Sequence, residues 1–116
     1  MIENSVEEIF DAMLDICPSN WERLALHADA DDTHTEMYFY VKCGGRYYTS
    51  EEAAMLCGVS LDELTDAYRN IILLCEKPEE AEWLGFDLVI DGDGSFEINY
   101  NYAPIDDAEW EKKYLV

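Results

Sequence analysis

The sequence predicts an α+β domain: an antiparallel sheet of about five strands with helices packed on one face. Three observations carry that expectation. Two stretches alternate apolar and polar residues with period two around turn sequences, Arg23 to Cys43 and Leu84 to Tyr102. Two others repeat apolar residues at helical spacing, Val6 to Cys17 and Leu61 to Cys75. With 116 residues, 49% of them hydrophobic, the chain supplies one core and fits a single domain, 1–116.

The first helix opens at Ser5-Val6-Glu7-Glu8, which has capping-box spacing. Val6, Ile9, Phe10, Met13, Ile16 and Cys17 then form an apolar stripe that ends at Pro18. From Trp21 the period becomes two. Leu24, Leu26, Ala28 and Ala30 alternate with Arg23, Ala25, His27 and Asp29, so a strand with one apolar face comes next. Asp31-Asp32-Thr33-His34 reads as a turn into a second strand, where Met37, Phe39, Val41 and Cys43 alternate with Glu36, Tyr38, Tyr40 and Lys42. Gly44-Gly45 supplies a two-residue loop tolerant of positive φ, and Arg46-Tyr47-Tyr48 returns as a short third strand.

Thr49 to Glu52 and Ser60 to Glu63 repeat the capping-box spacing. The first opens a short helix stopped near Gly58. The second opens a longer helix with Leu61, Leu64, Tyr68, Ile71, Ile72 and Cys75 on its core stripe, stopping around Pro78. The connection carrying Glu79, Glu80 and Glu82 is expected in solvent. Leu84, Phe86, Leu88 and Ile90 then face one way and Gly85, Asp87, Val89 and Asp91 the other. Past Gly92-Asp93-Gly94, Phe96, Ile98, Tyr100 and Tyr102 are set against Glu97, Asn99 and Asn101, completing a second hairpin. Pro104 ends it. Asp106 to Glu109 begins a last helical turn with Trp110 and Tyr114 as packing residues.

Charge is the outlying quantity: 27 acidic residues against 7 basic ones give a formal net charge of -20. A field of that sign repels nucleic-acid phosphates and anionic membranes and draws in basic proteins. Direct nucleic-acid or membrane binding is not expected. A basic protein partner is. The N-terminal stretch is acidic and amphipathic, without a basic n-region and apolar h-region, so the expectation is a cytoplasmic chain. Cys17, Cys43, Cys57 and Cys75 are then expected as free, mostly buried thiols.

Reactive constellations fail on inspection. Asp91-Gly92-Asp93-Gly94-Ser95 invites a calcium-loop reading, but the sixth and twelfth positions hold Phe96 and Tyr102 where glycine and glutamate are needed. A hairpin turn accounts for it. Asp29, Asp31 and Asp32 lack a loop glycine as well. His34-Thr35-Glu36 matches half of a zinc deaminase signature whose Pro-Cys-x-x-Cys half is missing. Cys57 and Cys75 lie in helical apolar stretches, where thiols are structural. No phosphate loop, Gly-x-Ser-x-Gly or His-Glu-x-x-His is present. Neither an enzyme nor a cofactor is expected.

What the alternation does assemble is a sheet face pointing away from the helices, carrying Arg23, His27, Asp29, Tyr38, Tyr40, Asp87, Glu97, Asn99 and Asn101. Tyrosines among acids and amides suit a basic partner: rings give contact area and carboxylates pair with Lys or Arg. The expected partner-binding set is this face from Asp29 to Asn101 together with the acidic turns at Asp31, Asp32, Asp91 and Asp93. Strand propensity of tyrosine is the plainer account of the same pattern.

Several segments resemble a known family. Trp21 to Ala28, Tyr38-Phe39-Tyr40, Asp93 to Tyr102 and the closing Trp110-Glu111-Lys112-Lys113-Tyr114-Leu115 are similar, in order and spacing, to the YezG-like immunity proteins of Gram-positive polymorphic toxin systems. Residues 44–81 share only general helical character with it. The resemblance implies a cytoplasmic antitoxin that binds and blocks the C-terminal toxin domain of a secreted LXG-type effector, commonly a nuclease. It carries no catalytic residues over. The rival readings are a general acidic adaptor or regulatory binding domain and, behind it, a small metal-dependent hydrolase using scattered carboxylates.

Overall fold

The computed structural model describes residues 2–30 and 34–115. A 3-10 turn, Ile2–Ser5, leads into α1 (Val6–Leu14), and then come β1 (Arg23–Ala30), β2 (Thr35–Cys43), β3 (Arg46–Thr49), α2 (Ser50–Leu56), α3 (Leu61–Leu74), β4 (Gly85–Asp91), β5 (Phe96–Asn101) and α4 (Asp107–Tyr114). The strands form one antiparallel sheet ordered β3-β2-β1-β4-β5. The α+β class and five-stranded antiparallel sheet are those the residue patterns predict. No helix among the described residues is long and apolar enough to cross a membrane.

The capping signals are realised unevenly. At α2 both halves of the box form: Thr49 Oγ1 accepts from the Glu52 amide at 3.2 Å and Glu52 Oε1 accepts from the Thr49 amide at 2.9 Å. Ser60 likewise accepts from the Glu63 amide at the start of α3. Ser5 makes no side-chain cap bond, because its own backbone is already helical in the preceding 3-10 turn.

Leu24, Leu26 and Ala28 of β1, Phe39 and Val41 of β2, and Phe86, Leu88 and Ile90 of β4 form the main core with Ile9 and Met13 of α1 and Leu64 and Ile71 of α3. This is the alternate-residue face the sequence marks as apolar. Trp83 joins it, buried even though Glu79, Glu80 and Glu82 just before it are exposed, with its ring 5.8 Å from Phe86 and 5.4 Å from Tyr100. Leu61 and Phe96, expected on the core side, are exposed. Leu61 is the first residue of α3, beyond the sheet, and Phe96 lies on the edge strand beside the hairpin turn.

At Gly85 an added Cβ would come within 2.3 Å of the Ala28 carbonyl oxygen. Close approach of β4 to β1 therefore needs a residue without a side chain there.

The placement of α4 corrects the expectation that the helices pack on one face. α1, α2 and α3 lie on the Leu24 and Leu26 side. α4 crosses the opposite side, where Trp110 and Tyr114 bury against Ala25, with Tyr38, Tyr40 and Val89 around them. The physical reason lies in residue size and pairing. Ala25 is small and faces Tyr40 across the β1–β2 ladder, so the second face carries apolar area around a small residue that the other helices leave uncovered. Trp110 fills it.

Candidate functional site

The second face is built around β1, the central strand. His27 and Asp87, opposite each other on β1 and β4, are both 1% exposed. His27 Nδ1 lies 2.6 Å from Asp87 Oδ1 and Nε2 lies 3.0 Å from Asp29 Oδ1. Asp87 Oδ1 also accepts the Trp110 indole N–H at 2.7 Å, and its Oδ2 accepts from Asn101 Nδ2 at 3.2 Å. Each polar group in this buried set therefore has a partner, as burial requires.

Both imidazole nitrogens face carboxylates, which have only lone pairs to offer, so a doubly protonated ring satisfies both. The titration directions agree. Burial alone pushes the His27 pKa down, but the hydrogen bond to Asp87 and the charges of Asp29 and Asp87 outweigh it and raise it above its ordinary 6.5. Burial pushes Asp87 up, and the bonds from His27, Asn101 and Trp110 outweigh that and hold it below 3.8. The pair is ionic and internal.

This sets a pH dependence. The His27 contribution is full below pH 6.5 and is lost as pH rises through its raised folded value; the Asp87 contribution is present above pH 3.8 and is lost as pH falls through its lowered one. Both operate between those limits. In urea melts, the stability advantage of the wild type over His27→Gln is expected to shrink as pH rises from 6.5 towards 9. A constant difference across that range would show that His27 is uncharged in the fold.

The tyrosines of this face point their hydroxyls at α4. Tyr38 donates to Asp107 Oδ1 and Tyr40 to Glu111 Oε1, each at 3.1 Å. Burial, then these carboxylates, raise both phenol pKa values, which keeps the rings neutral donors. Asn99 Nδ2 donates to the Tyr114 hydroxyl at 3.2 Å.

The expected binding set is thus divided. Asp87 is buried, and Asn101 is half-buried and bonded to it, so both serve the interior. Asp91 pairs with Arg23 at 2.7 Å. With Glu97 and Asn99 it lines a shallow groove of about 440 Å³ closed on one side by Lys113 and Tyr114. Tyr38 and Tyr40 border a second groove, of about 270 Å³, with Glu51, Asp107 and Glu111. Asp29 is exposed beside His27, and Asp93 closes its turn by accepting from the Ser95 amide and hydroxyl at 2.9 and 2.6 Å. Asp31 and Asp32 lie outside the described residues.

The remaining chemical candidates are local. His34 and Glu36 are exposed and contact each other at 3.1 Å. Burial raises the Cys17 and Cys75 thiols to about 12, with the neighbouring Cys57 adding to the first, so neither is a thiolate near neutrality. Cys43 is half-buried and Cys57 exposed, at the end of α2, so burial of the thiols is less general than the sequence suggests. Among the described residues no group of three or more His, Cys, Asp or Glu is arranged to hold a metal ion.

Sequence reasoning missed that the His27, Asp87 and Trp110 side chains form one buried unit. The signal was present only as a coincidence of period: His27 and Asp87 sit on the face that reads polar, and Trp110 is distant in the chain.

Fold and site together define an acidic α+β domain in which His27, Asp87, Asn101 and Trp110 bond to one another beneath α4. The chain matches the family of YezG-like immunity proteins over residues 2–114, and it belongs to that family. It is 28% identical over 108 residues to Immunity protein YezG of Bacillus spizizenii strain W23, an alignment that covers 85% of this chain and 67% of that protein.

Proposed function

We propose that this protein binds the C-terminal domain of a secreted LXG-type polymorphic toxin, a nuclease, and neutralises it by covering its substrate cleft. It acts in the cytoplasm of the cell that makes the toxin. Membership of an immunity family over nearly the whole chain carries the reading, and the net charge of -20 gives it a physical mechanism. A nuclease must attract phosphates, so its cleft is basic; a dense array of carboxylates on a folded scaffold competes for that cleft and is drawn to it at long range. Binding, rather than catalysis, is the activity.

The contacts proposed are Asp29, Asp31, Asp32, Asp91, Asp93 and Glu97, with Asn99, Tyr38 and Tyr40 at the borders of the two grooves. Asp87 and Asn101 act behind them by holding α4 in place.

Coexpression with the toxin domain encoded by the adjacent gene tests the reading. Growth is expected to be restored, with the two proteins eluting as one complex on size exclusion. The complex should weaken as salt is raised. Persistent killing and separate elution would overturn the proposal.

A further inference from the structure

The corner between α2 and α3 is apolar where a surface helix is ordinarily polar. α2 turns its small residues inward, with Ser50, Ala53 and Ala54 buried. Its large ones point away: Met55 is 80% and Leu56 61% exposed, and Leu61, opening α3, is 76% exposed. The other large exposed hydrophobic residues, Leu73, Leu84, Phe96 and Tyr102, are spread along the rest of the described chain. Grouped exposure of this kind marks an interaction surface, whereas single exposed residues do not.

The corner is held rigidly. Gly58, at φ 73°, closes a Schellman motif in which its amide donates to the Met55 carbonyl at 3.3 Å and the Val59 amide to the Ala54 carbonyl at 3.0 Å. The Ser50 and Tyr68 hydroxyls hydrogen-bond to each other and tie α2 to α3. Little ordering of the backbone is left for a partner to supply.

Charge selects the occupant. Glu51, Glu52, Asp62, Glu63 and Asp66 are exposed on the two helices that carry the apolar residues, and no Lys or Arg occurs between Arg46 and Arg69, which meets Asp66 at 3.9 Å. A second copy would bring the same acids against these, and an anionic membrane would be repelled. A cationic protein surface with an apolar pocket fits both features.

We propose that the α2–α3 corner is a docking surface for a basic protein domain, with Met55, Leu56 and Leu61 as apolar anchors on helices whose other exposed residues are largely acidic. Resting on the immunity reading, that domain is the toxin, and the corner extends the contact beyond the acids of the sheet face. The anchors set the dissociation rate and the carboxylates the association rate.

The experiment measures binding of the purified toxin domain encoded by the adjacent gene to wild type, to Met55→Ser/Leu56→Ser/Leu61→Ser, and to the control Leu73→Ser/Tyr102→Ser. The corner variant is expected to bind about 100-fold more weakly, chiefly through faster dissociation, with an unchanged thermal melt; the control stays within about threefold. Should the triple variant melt early, Leu61→Ser alone carries the test, with a loss of about tenfold. Equal binding by wild type and corner variants would overturn the corner and leave the immunity reading standing. Failure of the wild type to bind would overturn both. A wild-type dimer converted to monomer by the corner changes would overturn the basic partner in favour of a second copy.

Discussion

Asp87→Ala is expected to destabilise the protein by about 3–5 kcal/mol, the range for removing one partner of a buried ion pair. Three donors lose their acceptor at once: the His27 ring, the Trp110 indole and the Asn101 amide. The first is left as a buried cation beside Asp29 alone. Asp87→Asn keeps an acceptor oxygen and a similar shape but loses the charge, so it should fall between wild type and Asp87→Ala. Replacing both His27 and Asp87 with Leu removes donor and acceptor together and is expected to be less harmful than Asp87→Ala. Urea denaturation near pH 6, where both groups are charged, measures the series. A loss under about 1 kcal/mol for Asp87→Ala would mean that the carboxylate is effectively solvated.

Trp110→Ala is expected to cost about 3–5 kcal/mol, as for other buried aromatic truncations. For a domain of this size that corresponds to a melting temperature roughly 10–20 °C lower. The indole is fully buried, contacts His27, Tyr38, Tyr40 and Tyr114 at ring separations between 5.1 and 5.9 Å, and supplies one of the Asp87 bonds. It is the main apolar attachment of α4. Hydrogen exchange should therefore speed most along α4, with the core amides of β1 and β4 affected only as global stability falls. Trp110→Phe retains part of the packing without the N–H, so it should fall between wild type and Trp110→Ala, and Glu109→Ala on the exposed side of the helix should change stability by no more than about 0.5 kcal/mol. Uniform exchange in Trp110→Ala would indicate that α4 is not an independently held element.

These two changes bear on binding as well as stability. Tyr38 and Tyr40, at one groove, are held to α4 through Asp107 and Glu111, and Lys113 and Tyr114 of α4 line the other, so the borders of both depend on α4 staying docked. A variant that loosens α4 alters the acidic surface without changing a single proposed contact.

How much was legible in the sequence differs by level. Period-two alternation placed Arg23–Ala30, Thr35–Cys43 and both strands of the closing hairpin, because a strand buried on one face must separate its residues by parity. Thr49 and Glu52 marked the start of α2 because their reciprocal bonds form within one turn of chain. Parity has a blind spot, however. It reads polar letters as solvent, and His27 and Asp87 are polar letters inside the protein, neutralised by each other across a ladder whose register no local pattern states. The grooves and the exposed residues of α2 were hidden for a similar reason: no local pattern states that Ala53 and Ala54 turn inward and leave Met55 and Leu56 outside.

Composition and local spacing thus decided the α+β class, the strands, the helix starts and the acidic field, since each depends on residues within one element or on their sum. Tertiary structure alone decided that α4 closes the second face and that His27, Asp87 and Trp110 form one buried unit. Those outcomes turn on where distant segments meet, and the free energy that selects the meeting, area buried and charges paired between β1, β4 and α4, exists only once the chain has folded.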